Sequence, residues 1–181
     1  MDIIKEIQSR RSVRKYTDRP VAGEDIRQIL EAARLAPSGN NTQPWKFMVI
    51  RDAAKKQAVA AADHDQKWLL SAPVFLVCLA DISRRTAGTP VPVDENTPCE
   101  DLKRVIRDAA IAVTHMLLEA EHLGLSTCWT GWYSQAEMRQ ALGVSDSYYV
   151  SGVIALGYGA EAPAPRPRRP LEELILEWDP E

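Results

Sequence analysis

Cysteine is scarce and scattered. Cys78, Cys99 and Cys128 are the three in the chain, far apart and without a Cys-x-x-Cys pair, which argues against both a zinc ribbon and a disulfide framework. A reduced, cytoplasmic setting is the expectation. Cys78 lies in an apolar run and reads as a small core residue. Long hydrophobic runs are missing as well. No stretch approaches the ~20 residues needed to span a bilayer, and the N-terminus shows no apolar signal-peptide core, so no membrane partner is expected. Positive charge is not in excess: the formal net charge is −3, whereas a general nucleic-acid binder carries a basic balance. No nucleic-acid partner is expected either. Gly-x-Ser-x-Gly, Gly-x-x-x-x-Gly-Lys-Ser/Thr and Gly-x-Gly-x-x-Gly are all absent, which removes the common signatures of a serine hydrolase, a P-loop and a dinucleotide-binding turn. Gly157-Tyr158-Gly159 comes nearest, but it leads into prolines instead of a helix.

What the chain does have is arginine in two places. Its 181 residues, 45% of them hydrophobic, predict one globular domain: a core over 1–160 and an extended arm over 161–181. Within Met1–Pro20, Lys5, Arg10, Arg11, Arg14, Lys15 and Arg19 stand against Asp2, Glu6 and Asp18, a basic segment in an acidic protein. Arg166, Arg168 and Arg169 lie among four prolines near the other end. The planar guanidinium binds phosphate or carboxylate bidentately and stays charged. Two such clusters make a phosphate monoester, with roughly −1.5 to −2 charge at neutral pH, the first ligand to test.

Periodicity predicts the elements. Asp2 caps a first helix through Ile3, Ile4 and Ile7 that delivers Arg10–Arg14. A second helix runs from Glu24 to Leu35 and stops at Pro37. Trp45 to Ile50 reads as a strand, Ala53 to Ala62 as a helix, and Val74 to Ala80 as a fully buried strand. Asp81 to Glu100, with Gly88, Pro90, Pro92 and Pro98, reads as a loop and candidate lid. Lys103 to Leu123 is the longest helix, apolar on most of its circumference and ended by Gly124. Gln135 to Leu142, closed by Gly143, is a short helix, and Tyr148 to Leu156 is a further strand. Leu171 to Trp178 is apolar with helix and strand both open, and its Leu174, Ile175, Leu176 and Trp178 need a surface such as a second subunit. Helices interleaved with a few strands suggest α+β.

Each motif has a plain structural reading beside a functional one. Arg10–Arg14 suits a solvated helix end as well as an anion site. Pro37–Trp45 is turn-rich, but Asn40, Asn41 and Gln43 add amides able to read the edge of a heterocycle. His115, Glu119 and His122 share one helix face, yet the two histidines are about 10 Å apart along the axis, so no metal site is expected. Trp68, Trp129 and Trp132 are candidates to wall an aromatic pocket, although core packing serves such residues equally.

The order of four segments carries more than any one of them. Arg10-Arg11-Ser12-Val13-Arg14-Lys15-Tyr16, Ala36-Pro37-Ser38-Gly39-Asn40-Asn41-Thr42-Gln43-Pro44-Trp45, Leu123-Gly124-Leu125-Ser126-Thr127-Cys128-Trp129-Thr130-Gly131, and Gly157-Tyr158-Gly159 followed by Arg166-Pro167-Arg168-Arg169-Pro170-Leu171-Glu172-Glu173 together resemble the nitroreductase family of flavoproteins, from Ile3 to about Ile175. The resemblance implies a three-layer α+β fold with a central, mainly antiparallel sheet flanked by helices. It also implies a homodimer with FMN at the interface and the C-terminal arm wrapping the partner. It places Arg10, Arg11, Ser12, Arg14, Arg166 and Arg168 at the FMN phosphate, and Pro37, Ser38, Gly39 and Asn41 on the flavin from the partner subunit. Trp129, Thr130 and Gly131 would lie by the ring, with a backbone amide of Thr130 or Gly131 facing N5 and Gln66 near the pyrimidine edge. The implied reaction is hydride transfer from NADH or NADPH through FMN to a small electrophile such as a nitroaromatic or quinone. Reductive dehalogenation, flavin remodelling and a non-catalytic flavin module are the alternatives. Thr130 stands where several family members carry an acid, so donor and acceptor preferences do not carry over.

Overall fold

The computed structural model describes residues 3–85, 93, 94, 96, 97 and 100–179. Among these residues five helices, α1 (Lys5–Ser9), α2 (Gly23–Arg34), α3 (Ala53–Ala62), α4 (Glu100–His122) and α5 (Gln135–Leu142), are interleaved with four strands, β1 (Trp45–Ile50), β2 (Val74–Asp81), β3 (Ser126–Thr130) and β4 (Tyr148–Gly157). The sheet order is β1-β2-β4-β3 and every neighbouring pair is antiparallel.

Central β2 is apolar at nearly every position because both of its faces are covered. Val74, Leu76, Cys78 and Ala80 pack with α2 and α4 through Ile29, Ala33, Val113 and Met116. Phe75, Val77 and Leu79 point the other way, toward Val59 of α3, Met138 and Leu142 of α5, and Leu69. Alternation at period two thus divides one apolar run between two cores, and the result is the expected helix–sheet–helix α+β arrangement. Helix ends follow local chemistry. Asp52 accepts the Lys55 N–H at 2.8 Å to start α3. Gly124 (φ 72) ends α4 with Leu125 N–H bonded back to Ala120 O at 2.8 Å, a Schellman closure.

Several expectations need correction. Ser126–Thr130 is a strand with no local signature, since three of its five residues are Ser or Thr and no clean alternation marks it. α4 starts at Glu100 instead of Lys103, because its acidic first turn (Glu100, Asp101) extends the helix backwards into the expected loop. That loop is also shortened at its start, where Asp81 closes β2 and Ile82–Arg84 form a 3₁₀ turn. The apolar circumference of α4 is only partly covered: Ile111, His115 and Leu118 are half-buried and Thr114 is exposed. α1 begins at Lys5 after Ile4, with no side-chain cap. Leu171–Trp178 is neither helix nor strand beyond a 3₁₀ turn at Leu171–Glu173. Asp2, Cys99 and most of the candidate lid lie outside the described residues.

Candidate functional site

The two ends of the chain are stitched together beside the edge strand β3. Val13 N–H donates to Thr127 O at 3.0 Å, Thr17 N–H to Tyr158 O at 2.9 Å, and Ala160 N–H to Lys15 O at 2.8 Å. Arg14 N–H donates to Glu161 Oε1 at 2.6 Å. Beneath them the buried Tyr16 hydroxyl donates to Val13 O at 2.6 Å, and burial pushes its acidity far out of reach, so it remains a neutral donor.

This stitching brings the arginine clusters face to face. Arg10, Arg11, Ser12, Arg14, Arg166 and Arg168 line one cavity of about 720 Å³. Arg11 Nη1 turns back to Gln8 O at 2.7 Å and Arg168 Nη1 to Arg166 O at 3.2 Å. Arg10, Arg14 and Arg166 have no carboxylate within ion-pair distance among the described residues. The guanidinium donors therefore remain available to an anion.

From Arg14 the wall continues inward. The Arg14 guanidinium sits 5.6 Å from the Trp68 ring centroid, and Trp68 Nε1–H donates to Gln66 Oε1 at 2.8 Å. Gln66 Nε2 donates to Asp63 Oδ2 at 2.6 Å and Thr130 Oγ1 at 3.1 Å. Thr130 Oγ1 in turn lies 2.7 Å from Asp63 Oδ2. Burial pushes the Asp63 carboxyl up, opposed by the bonds from Thr130 and Gln66. Cys128, on the same face, has its thiol pushed up by burial, with Arg14 and Ser12 opposing. Trp129 points to the other side of β3, where a Cβ on Gly152 would collide with its indole. Trp132 is 65% exposed and stacks on His64 with ring centroids 4.2 Å apart.

The Pro37–Asn41 segment does not reach the arginine cavity of its own chain. It is held on the far side, where Arg85 Nη2 donates to Gly39 O at 3.0 Å and Asp108 Oδ2 accepts from Gly39 N–H at 3.3 Å. Asn40, Asn41 and Gln43 all adopt positive φ (53, 53 and 47°), a conformation Asn tolerates better than most residues. His115 Nδ1 lies 3.1 Å from Ala32 O and His122 Nδ1 2.9 Å from Glu6 Oε1, so each histidine has its own partner.

Three residues of this site escaped the sequence reading: Asp63, Arg85 and Asp108. Asp63 had a local signal, an acid at the buried end of the Ala-rich α3, three residues before Gln66. Arg85 and Asp108 had none, because they meet only when the end of β2 packs against α4.

The sequence model of the nitroreductase family matches residues 7–158. An NADH dehydrogenase of Thermus thermophilus is 33% identical, covering 92% of this chain and 91% of that protein. An NAD(P)H-dependent FMN reductase of Bacillus subtilis is 30% identical over 94% of this chain and 71% of its own length. A Desulfovibrio desulfuricans protein solved in complex with FMN superposes with a TM-score of 0.83 at 32% identity, covering 97% of this chain and 95% of that one. With its termini paired along β3 and the family's pattern running through nearly all of the core, this chain belongs to the nitroreductase family.

Proposed function

We propose that the arginine cavity is the phosphate end of an FMN site. The chain is an FMN-dependent NAD(P)H oxidoreductase, and its acceptor is a small electrophile such as a nitroaromatic or quinone. The observation that carries the assignment is the meeting of Arg10, Arg14 and Arg166, from opposite ends of the chain, in one cavity where, among the described residues, none of the three guanidinium groups has a carboxylate within ion-pair distance and the lining Glu161 accepts from the Arg14 main-chain N–H. Three free guanidinium groups and the Ser12 hydroxyl match a dianionic phosphate in charge and in donor chemistry.

When bound, FMN supplies the redox chemistry, taking hydride from NADH or NADPH and passing reducing equivalents to the acceptor. The protein binds and orients. Arg10, Arg11, Ser12, Arg14, Arg166 and Arg168 hold the phosphate. A backbone amide of Thr130 or Gly131 faces the ring, with Gln66 toward the pyrimidine edge; Trp129 adjoins them in the chain while its indole turns to the other side of β3. Pro37, Ser38, Gly39 and Asn41, which Arg85 and Asp108 hold away from this cavity, serve the flavin of a second copy in a homodimer. The arm over 161–181 wraps that copy: Leu176 and Trp178 have almost no cover in their own chain (103% and 71% exposed). Deleting Pro163 onward is expected to give a monomer without flavin by size-exclusion chromatography, and a flavin-loaded dimer would refute the arm. No helix among the described residues is long and apolar enough to cross a membrane; a reduced cytoplasmic setting suits the free thiols of Cys78 and Cys128.

The test is the visible spectrum of the purified protein, followed by anaerobic addition of NADH and then NADPH. Flavin bands that bleach with either donor support the reading and report the preferred one. A protein that takes up no FMN overturns it.

A further inference from the structure

The hydrogen-bond network behind Thr130 has a direction fixed by its chemistry. The Trp68 indole is a donor only, so its 2.8 Å bond fixes Gln66 Oε1 as the acceptor and Nε2 as the end facing Asp63 and Thr130. Both Nε2 protons are then spent, one on Asp63 Oδ2 and one on Thr130 Oγ1. Thr130 Oγ1 already accepts from Gln66, so its own proton goes to Asp63 Oδ2. One fully buried carboxylate oxygen collects both donors. No cationic side chain lies within ion-pair distance of Asp63 among the described residues.

The chain contorts to build this arrangement. His64 and Asp65, directly after the carboxylate, both adopt positive φ (54 and 52°), an uncommon pair for side-chain-bearing residues and a mark of local constraint. That turn sends Asp63 and Gln66 toward Thr130 together. It also brings His64 onto Trp132, with His64 Nδ1 2.6 Å from Trp132 O and the two rings stacked. The 63–66 turn thereby grips the 130–132 segment at both of its ends, leaving Gly131 between two anchored residues.

We propose that Asp63 is a positioning residue for the flavin ring: through Thr130 and Gln66 it fixes the Thr130–Gly131 backbone, and its charge bears on the potential of the bound cofactor. The inference rests on the FMN assignment above. A carboxylate that accepts from the neutral Gln66 and Thr130 side chains keeps its negative charge and opposes the extra electrons of a reduced ring, so removing that charge favours reduction.

The experiment compares Asp63→Asn, Thr130→Val and the double variant with the unaltered protein. Three quantities are read: FMN dissociation constant, midpoint potential of the bound flavin, and melting temperature of the flavin-free protein. Asp63→Asn is expected to weaken FMN about tenfold. It should also raise the two-electron potential by about 30 mV, which corresponds to a tenfold change in the ratio of reduced to oxidised binding. Thr130→Val should weaken FMN similarly, with the double variant little worse than either single one, because both cut the same link. Lower melting temperature with unchanged affinity and potential would mean that Asp63 only supports the fold. Fully additive losses would also overturn the proposal. If Asp63→Asn does not fold, Thr130→Val decides alone, and unchanged FMN affinity in it sinks the link. Should the unaltered protein bind no FMN, the cofactor assignment itself has failed.

Discussion

Arg85 Nη2 and Asp108 Oδ2 stand 3.4 Å apart, both nearly buried, behind the Pro37–Asn41 loop. The pair grips Gly39 from both sides, the arginine on its carbonyl and the aspartate on its amide. A Cβ at Gly39 would run into the Arg85 guanidinium. A loop with two positive-φ residues, Asn40 and Asn41, is therefore clamped between the turn after β2 and α4.

Removing one partner of a buried ion pair leaves the other uncompensated, typically at a cost of about 3 kcal/mol. Asp108→Ala is accordingly expected to destabilise the protein by about that amount in urea titrations. It should also lower FMN occupancy, because the loop it frees is the one proposed above to serve the second copy's flavin. Wild-type stability in Asp108→Ala would show that the clamp is not coupled to the fold.

Tyr16→Phe tests how the basic segment is held. The change deletes the donor to Val13 O and leaves a buried carbonyl poorly satisfied, at a cost of about 1–2 kcal/mol. The melting temperature should fall and FMN affinity with it, since Val13 neighbours Ser12 and Arg14. Unchanged affinity would show that the Arg10–Arg14 strip is positioned by its main-chain bonds to β3 alone.

Arg10→Ala and Arg168→Ala each remove a charge-assisted contact to the proposed phosphate, worth about 2 kcal/mol, or roughly thirtyfold in FMN affinity. Riboflavin, which lacks the phosphate, should bind the variants and the parent alike. Equal losses for riboflavin and FMN would mean that the arginines act elsewhere.

His122 and Glu6 join α4 to α1 through a 2.9 Å contact. The hydrogen bond to Glu6 holds the His122 imidazole above its usual range, and the same bond holds the Glu6 carboxyl below its own, with Glu119 reinforcing the histidine and Lys5 opposing it. The histidine contribution is complete below its unfolded pKa and disappears as pH rises through the raised folded value. The glutamate contribution is complete above its unfolded pKa and disappears as pH falls through the depressed one. The stability difference between the parent and Glu6→Gln should therefore peak between about pH 4.5 and 6.5 and vanish toward pH 9 and pH 2. A difference that does not change with pH would exclude the ion pair.

Much of this was legible from local chemistry. Trp45–Ile50, Ala53–Ala62 and Gln135–Leu142 occupy the ranges their patterns predict, and the two helices are bounded by residues such as Asp52 and Gly143 that act within one turn. Ser126–Thr130 was not legible, because its polar residues are buried by partners distant in the chain: Thr130 by Asp63, and Thr127 by the Arg10–Tyr16 strip.

Local chemistry sets the inventory: two arginine clusters in an acidic chain, an amide-rich loop, an apolar strand with two faces and an apolar arm. Charge, periodicity and turn chemistry are properties of neighbouring residues, so they survive without a fold. Which of these parts meet is a property of the folded chain. The fold set the two arginine ends across one cavity, kept the Pro37–Asn41 loop away from it, and placed Asp63 under Thr130. Those choices depend on sheet order and on hydrogen bonds spanning tens of residues, which exist only once the antiparallel register has closed the chain on itself.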